Sequence, residues 1–244
     1  MLNQFSRTEL LLGHKALESI KDKRVAVFGI GGVGGYVCEA LVRTGIGHFD
    51  LIDNDDVSLT NINRQIIATH STIGRAKVQV MKERMLDINP KVDITIHQCF
   101  YLPDNADEFD FTAYDYVVDA VDTVTAKLSI ICKCKELGVP VISSMGTGNK
   151  LNPAAFEIAD IYDTTMCPLA KVMRKELKKR GISSLKVVYS KEKPCAQAYD
   201  VTEVEEPSDG RRSIPGSSAF CPPVAGLILA SEVIKDLTGG FLRE

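Results

Sequence analysis

The sequence has no CxxC pair among its seven cysteines. That absence disfavours a zinc ribbon, and an odd number of scattered cysteines disfavours a disulfide framework. No structural zinc is therefore expected, and most of these thiols are predicted to be small core side chains. The cysteines are Cys38, Cys99, Cys132, Cys134, Cys167, Cys195 and Cys221.

Long apolar runs are also missing. No segment approaches the roughly 18 consecutive apolar residues of a membrane span, and the N-terminal MLNQFSRTELL lacks the basic-then-apolar order of a signal peptide. We expect no membrane partner and a cytoplasmic location. The net charge of −3 is close to neutral, so contact with a nucleic acid would require a local basic patch.

What the sequence does contain begins at VAVFGIGGVGG, residues 25–35. An apolar strand, Val25–Phe28, leads into glycines and then into a predicted helix, Tyr36–Arg43, which is the order of a nucleotide-binding turn. A second strand, His48–Ile52, ends at Asp53, about twenty residues beyond the turn, where a carboxylate binds ribose hydroxyls. The glycines that would let backbone approach phosphate are Gly29, Gly31, Gly32 and Gly34. A turn used for packing alone is the alternative, and the turn does not identify the nucleotide.

Apolar alternation and helical spacing indicate further strands and helices. Strands that alternate with helices up to about residue 145 predict an α/β fold, a Rossmann-like, doubly wound, mostly parallel sheet with an extended C-terminal portion of strands and helices. The further predicted strands are 92–98, 116–118, 139–143, 155–161 and 186–189, and the predicted helices are 6–20, 77–88, one ending at 137, 168–180 and 224–237.

Polar and charged residues follow the predicted strands, at the edge where α/β sheets bind ligands. Cations there suit the charge that builds on phosphoryl oxygens, and a carboxylate suits magnesium. The structural alternatives are that Arg64 and Lys77 are surface cations and that Asp122 caps the helix that follows it. The residues at this edge are Asp53, Asp55, Asn61, Arg64, Lys77 and Asp122.

Four segments together resemble the adenylating superfamily of ThiF, MoeB and HesA proteins, which is related to ubiquitin-activating enzymes. They are GIGGVG at 29–34, IDNDDVSLTNINRQ at 52–65, IGRAK at 73–77 and VVDAVDTVTAK at 117–127. The resemblance implies attack of a carboxylate on the α-phosphate of ATP. The nucleotide-binding residues that it implies are Gly29, Gly31, Gly32, Gly34, Asp53, Asp55, Asn61, Arg64, Lys77 and Asp122.

The same resemblance implies individual roles. Asp53 would hold the ribose, Arg64 and Lys77 the phosphates, and Asp122 a magnesium ion bound with ATP. Arg7 matches an arginine that reaches the phosphates of a partner subunit, which implies a homodimer. One departure is Thr123, where many relatives have Asn after the magnesium aspartate.

The second half of the pattern resembles the family of tRNA threonylcarbamoyladenosine dehydratases, on RTGIGHFDLID at 43–53, INP at 88–90, LPDN at 102–105 and the segment 168–181. That resemblance implies ATP-dependent cyclisation of threonylcarbamoyladenosine in tRNA through an acyl adenylate, with release of AMP and pyrophosphate. It implies one adenylating domain over 1–244, in which 1–150 binds the nucleotide and 151–244 binds the substrate and contacts a second subunit.

Two other functions stay open. An activator of a ubiquitin-like sulfur-carrier protein would adenylate the carrier's C-terminus, with Cys195 or Cys221 as the acyl or sulfur acceptor and a carrier or sulfurtransferase as partner. An NAD-dependent oxidoreductase or a nucleotide-binding regulator would use the glycine turn differently. A monovalent cation beside ATP and magnesium is also left open.

The predicted helix 168–180 carries a strongly basic face. Such a face predicts a surface for the tRNA partner, and a solvated helix face is the alternative. The RNA-binding candidates are Lys171, Arg174, Lys175, Lys178 and Lys179.

Overall fold

The computed structural model describes residues 2–198 and 215–240, and within them the chain forms one seven-stranded sheet covered by helices. The strands are β1 (Arg24–Phe28), β2 (His48–Ile52), β3 (Asp93–His97), β4 (Tyr116–Asp119), β5 (Val141–Ser144), β6 (Phe156–Asp160) and β7 (Lys186–Ser190). The α-helices are α1 (Ser6–Leu12), α2 (His14–Lys21), α3 (Gly34–Thr44), α4 (Lys77–Ile88), α5 (Val124–Leu137), α6 (Pro168–Lys179) and α7 (Cys221–Leu237). None of the helices in these residues is both long and apolar enough to cross a membrane.

The strand order is β3-β2-β1-β4-β5-β7-β6. Every neighbouring pair is parallel except β6 with β7, which is antiparallel. The predicted doubly wound, mostly parallel sheet is therefore confirmed. The C-terminal portion extends this same sheet, because β7 pairs with β5 and β6 forms the outer edge.

The inner strands are buried on both faces, as a parallel sheet between helical layers requires. Along β1, Val25 and Val27 pack with α3, α4 and α7, while Ala26 and Phe28 pack with α5 and α6. Because side chains alternate along a strand, one apolar segment supplies both halves of the core.

The prediction of one N-terminal helical segment over 6–20 is wrong. The chain forms two helices, α1 and α2, which meet at Gly13 with φ +83°, a conformation that ends a regular helix. Leu10 and Leu11 are 86% and 68% exposed, whereas Ile20 is buried. Helix α1 has no buried residue, and although Leu12 packs against the core, the described residues leave Leu10 and Leu11 largely uncovered.

The strand order also locates the site. Strand β1 lies between β2 and β4, so the chain leaves β1 toward one side of the sheet and later returns on the other. In α/β sheets the crevice at such a switch point, outside the carboxyl ends of the strands, is where ligands bind. The loops that follow β1, β2 and β4 meet there.

Candidate active site

The glycine turn between β1 and α3 uses two of its glycines for close packing. Gly29 has φ +88°, and a Cβ there would lie 2.7 Å from the Ala120 carbonyl oxygen. A Cβ at Gly34 would lie 1.8 Å from the Gly29 carbonyl oxygen, so neither position accepts a side chain unless the backbone moves. The packing interpretation therefore accounts for these two positions.

Gly31 and Gly32 have a different environment. Among the described residues beyond its chain neighbours, a Cβ at Gly31 would approach only the Gln65 side-chain nitrogen, at 3.8 Å. A Cβ at Gly32 would lie 3.3 Å from Arg64 Cγ and 3.1 Å from Pro222 Cβ. The backbone at Gly31 is thus open to an incoming group, with a guanidinium side chain beside the next residue, as a phosphate-binding turn requires.

Asp53 joins the glycine turn to the end of β2. Its Oδ2 accepts a hydrogen bond from the Ile30 amide at 2.6 Å, and its Oδ1 accepts one from the Asp55 amide at 2.9 Å. Burial raises the pKa of the Asp53 carboxyl, and the charge of Lys77 with the two amide bonds offsets part of that rise. Asp53 directly follows β2, and its binding of ribose stays a prediction.

Lys77 begins α4, and its side chain is only 7% exposed. Its Nζ lies 2.6 Å from Asp55 Oδ2 and 3.9 Å from Asp53 Oδ1. The alternative that Lys77 is a surface cation is therefore wrong. A lysine held between two carboxylates at this edge can exchange a carboxylate oxygen for a phosphate oxygen with little movement.

Arg64 is half-buried against the glycine turn. Its Nη1 donates to the Thr60 carbonyl oxygen at 2.8 Å and to Asn63 Oδ1 at 2.9 Å, both of them neutral acceptors. Within residues 2–198 and 215–240 it forms no ion pair with a carboxylate, and burial lowers its pKa. A partly desolvated guanidinium whose charge is not neutralised favours the binding of an anion.

Asn61 and Gln65 complete the polar turn from inside. Asn61 is buried, and its Oδ1 accepts a hydrogen bond from the Ser58 amide at 3.1 Å, so this side chain shapes the turn that presents Arg64. Gln65 is also buried, and its Oε1 has no hydrogen-bond partner among the described residues. Gln65 was absent from the predicted site, although the NINRQ segment already carried it. A buried oxygen without a hydrogen-bond partner is unusual, and this one gives the glycine turn a polar group beside Gly31.

Asp122 lies exposed in the loop between β4 and α5. The N-cap position of α5, which the alternative gave to Asp122, belongs to Thr123, whose Oγ1 lies 3.4 Å from Asp122 Oδ1. The loop contacts the glycine turn, since a Cβ at Gly29 would lie 2.7 Å from the Ala120 carbonyl oxygen. Asp122 therefore lies two residues beyond this contact, in the loop at the same edge of the sheet as the turn.

A magnesium ion fits this edge only together with phosphates. In the part of the chain that the structure describes, no three His, Cys, Asp or Glu side chains form a cluster able to hold a metal ion. Magnesium in nucleotide sites takes one or two carboxylates, and phosphate oxygens and water supply its other ligands. A single exposed carboxylate at Asp122 suits that mode.

Arg7 does not join these residues within its own chain. It lines a groove of about 380 Å³ between α1, α3 and α7, with Ala40, Thr44 and Leu227 among the walls. At 1.5 Å per residue, Ala40 lies roughly 9 Å along α3 from Gly34. The contact of Arg7 with the phosphates of a second subunit stays a prediction.

Cys195 and Cys221 have environments that disfavour a thiolate. Cys195 Sγ lies 3.5 Å from Glu192 Oε1, and burial together with this carboxylate raises the pKa of its thiol. Cys221 is fully buried at the start of α7, and burial raises its pKa as well. A reactive cysteine needs a lowered pKa, so neither thiol is poised as a nucleophile.

Helix α6 presents fewer unpaired basic side chains among the described residues than the sequence indicates. Arg174 turns back and donates to the carbonyl oxygen and hydroxyl of Thr164. Lys179 and Arg180 pair with Glu176, at 2.7 and 2.9 Å. On the same helix, Val172 is 45% exposed. The exposed lysines for which the described residues supply no ion-pair partner are Lys171, Lys175 and Lys178, which form one stripe at i, i+4 and i+7.

A doubly wound sheet with an open glycine turn, a half-buried arginine and a buried lysine at its carboxyl edge defines a nucleotide-binding α/β protein suited to phosphoryl chemistry. The chain belongs to the ThiF family, whose profile matches residues 5–242. The family resemblance predicted from four sequence segments is confirmed.

Relatives of this chain carry more specific names. The tRNA threonylcarbamoyladenosine dehydratase of Bacillus subtilis is 43% identical over 242 residues, which cover 97% of this chain and 95% of that protein. The crystal structure of the Escherichia coli tRNA N6-threonylcarbamoyladenosine dehydratase in complex with ATP aligns with a TM-score of 0.85 and 33% identity, covering 97% of this chain and 94% of that one. The adenylyltransferase and sulfurtransferase uba4 of Ogataea parapolymorpha is 28% identical over 226 residues, 93% of this chain but only 50% of that protein.

Proposed function

We propose that this protein is an ATP-dependent tRNA threonylcarbamoyladenosine dehydratase. The observation that carries the proposal is the half-buried Arg64, which among the described residues has only neutral acceptors and lies beside the open part of the glycine turn. Near-full-length similarity to dehydratases of that name supports the same conclusion. Because a desolvated arginine without a carboxylate favours an anion, a triphosphate is the ligand that this edge fits.

The reaction has two displacement steps. The free carboxylate of the modification attacks the α-phosphorus of ATP, and the bond to pyrophosphate breaks. An oxygen or nitrogen of the same modification then attacks the acyl carbon, closes a ring and displaces AMP, which carries away one carboxylate oxygen. The modified base loses one molecule of water in total. Both reacting groups belong to one nucleoside, so proximity assists the second step without a cysteine nucleophile.

Different residues at the crevice bind different parts of ATP. Asp53 binds the ribose, and the backbone at Gly31 approaches the phosphates. Arg64 and Lys77 balance the charge that builds on the transferring phosphoryl oxygens and on departing pyrophosphate. Asp55 holds Lys77, and Asn61 supports the turn that carries Arg64.

Magnesium, when bound with ATP, neutralises charge on the triphosphate, and Asp122 is the residue that would hold it. Its exposure at the crevice edge and the fit of a single carboxylate to a phosphate-bound ion support this role.

A homodimer with Arg7 acting in trans is part of the proposal. Arg7 lies in a groove whose walls are apolar apart from a few hydroxyls, and the neighbouring Leu10 and Leu11 are 86% and 68% exposed. A second copy that covers these leucines would bury apolar surface and could bring each Arg7 toward the other subunit's crevice.

The α6 stripe of Lys171, Lys175 and Lys178 is the proposed contact for tRNA phosphates. Helix α6 precedes β7, which is parallel to β5, so the N-terminal end of α6 lies near the carboxyl edge of the sheet. A phosphate backbone that follows the stripe would therefore lead toward the crevice. Lysines at regular spacing that have no ion-pair partner among the described residues suit such sequence-independent binding.

The deciding experiment uses purified protein, ATP with magnesium, and tRNA carrying threonylcarbamoyladenosine. We expect pyrophosphate release that depends on this tRNA and a loss of 18 Da from the modified nucleoside, roughly one water, by mass spectrometry. Pyrophosphate release that needs a sulfur-carrier protein instead of tRNA would favour the alternative. The double variant Cys195→Ala, Cys221→Ala is a second test. It should keep its turnover if the protein is a dehydratase and lose it if one of these cysteines accepts an acyl group.

A further inference from the structure

Below the loop that carries Asp122 lies a fully buried ion pair that the reaction itself does not use. Lys127 Nζ lies 3.0 Å from Asp119 Oδ2, and both side chains are at most 1% exposed. The same ammonium donates to the Ser144 carbonyl oxygen at 2.8 Å and lies 3.3 Å from Ser143 Oγ. The Ser143 hydroxyl in turn donates to Asp119 Oδ2 at 2.6 Å. The cluster thus joins the carboxyl ends of β4 and β5 to the first turn of α5.

This placement runs against ordinary preferences. A cation in the first turn of a helix faces the positive end of the helix dipole, and a buried charge pair is often no more stable than apolar residues of the same size. The surrounding core is mostly apolar, so apolar side chains could have filled the place of Lys127 and Asp119. Departures of this kind concentrate at functional sites.

The pair acts on the loop through Asp119. Its other oxygen, Oδ1, accepts a hydrogen bond from the Val121 amide at 3.3 Å, one residue before Asp122. Between them, the Ala120 carbonyl packs against Gly29 so closely that a Cβ there would lie 2.7 Å away. A shift of Asp119 would therefore move both the contact with the glycine turn and the position of Asp122.

We propose that Lys127 is a positioning residue. It fixes the carboxylate of Asp119 and thereby the position of loop 120–122 relative to the phosphate site. The proposal rests on the proposed function for the role of Asp122. Removing Lys127 should weaken the binding of ATP with magnesium, which needs Asp122, much more than the binding of AMP, which does not. Loss of a residue that orients a metal ligand commonly costs about 10–100-fold.

The test compares Lys127→Met with Lys127→Arg and the matched control Lys133→Met, which removes an α5 lysine paired with the 95% exposed Asp107. Calorimetric titration gives Kd for AMP and for ATP with and without magnesium, and urea unfolding gives stability. We expect Lys127→Met to raise Kd for magnesium–ATP about 10–100-fold and to leave Kd for AMP within about threefold. Lys127→Arg should recover most of the loss, and Lys133→Met should change neither affinity.

Equal losses of AMP and magnesium–ATP affinity, or unchanged affinities in a destabilised protein, would overturn the proposal, since both describe a merely structural pair. If Lys127→Met does not fold, Ser143→Ala decides, because it removes one hydrogen bond to Asp119 and should reproduce the selective loss at smaller size. If the wild-type protein has no activity toward modified tRNA, the proposed function is wrong. The ratio of the AMP and magnesium–ATP affinities would still test whether Lys127 positions loop 120–122.

Discussion

The ammonium nitrogen of Lys77 lies 2.6 Å from Asp55 Oδ2 and 3.9 Å from Asp53 Oδ1, which brings the start of α4 against the end of β2. Lys77→Met keeps most of the side-chain length and removes the charge. We expect kcat for pyrophosphate release to fall about 10²–10³-fold, the usual loss for one electrostatic contact to a transition state. Arg75→Met, which breaks an exposed ion pair with Glu83 in the same segment, should stay within about twofold. If the two variants are equally active, Lys77 does not contact the phosphates during the reaction.

The two kinds of glycine in the turn should respond differently to alanine. Gly34→Ala places a Cβ 1.8 Å from a carbonyl oxygen, so we expect the free energy of unfolding to fall by about 3 kcal/mol. Gly31→Ala meets no such obstacle, and its unfolding free energy should change by less than about 1 kcal/mol, while ATP affinity falls about tenfold. Urea unfolding and nucleotide titration separate the two. Normal ATP affinity in Gly31→Ala would contradict the close approach of phosphate.

Glu39 on α3 should contribute acid-sensitive stability. Burial alone would raise its pKa, but hydrogen bonds from Arg84 and Arg43 outweigh this, and the pKa lies below its ordinary value of 4.5. The contribution is therefore complete above about pH 4.5 and is lost as the pH falls through the lower folded value. Glu39→Gln should cost about 2 kcal/mol of unfolding free energy at pH 7, and the difference from wild type should shrink in acid.

Urea unfolding across a pH series measures that difference. The matched control is Glu83→Gln, which removes a carboxylate from the exposed pair with Arg75. Its stability should follow that of the wild type at each pH. A deficit in Glu39→Gln that stays constant down to pH 3 would show that packing, and not ionisation, is responsible.

The α6 stripe predicts a pairwise contrast in tRNA binding. Lys175→Gln removes a lysine without an ion-pair partner in the described chain, so it should weaken binding and lower the slope of log K against log salt by about one. Lys179 is paired with Glu176 at 2.7 Å, so Lys179→Gln should change the slope less. Filter binding at several salt concentrations compares the two. The stripe would be excluded if both variants and the triple change at Lys171, Lys175 and Lys178 bound like wild type.

The sequence predicts the sheet and the residues along its carboxyl edge well, because both depend on local order. The strand, glycine turn and helix from Val25 onward, and the polar segment after Asp53, are regular patterns, and the structure brings Arg64 and Lys77 to the edge as expected. Position in the chain could not reveal pairings across elements. That Arg174 returns to Thr164 depends on how α6 lies against the segment before it. The pairing of Glu176 with Lys179 is an i,i+3 contact within α6, which the sequence spacing could have indicated.

Two further features escaped sequence reasoning for physical reasons. Leu10 and Leu11 have the periodicity of a docking face, but periodicity does not tell whether the same chain or a second one covers it. Lys127 reads as a solvated helix lysine, and only the strand order brings Asp119 and Ser143 to it. A lysine in the first turn of α5, at the positive end of the helix dipole, is a local signal that could have pointed to it.

Arg7 and Asp122 give a direct test of catalysis across subunits. If Arg7 acts in trans, Arg7→Ala and Asp122→Ala should each lose most activity as homodimers. In a mixed dimer, one crevice has an intact Asp122 and receives the intact Arg7 of the other subunit. Equal mixing with full subunit exchange should therefore restore about a quarter of wild-type turnover, since about half of the dimers are mixed and each has one working site. A pyrophosphate assay of the unselected mixture measures this recovery, and mixed dimers isolated by co-expression with two purification tags should show about half of wild-type turnover. If Arg7 serves its own chain, both crevices of the mixed dimer stay defective and no activity returns.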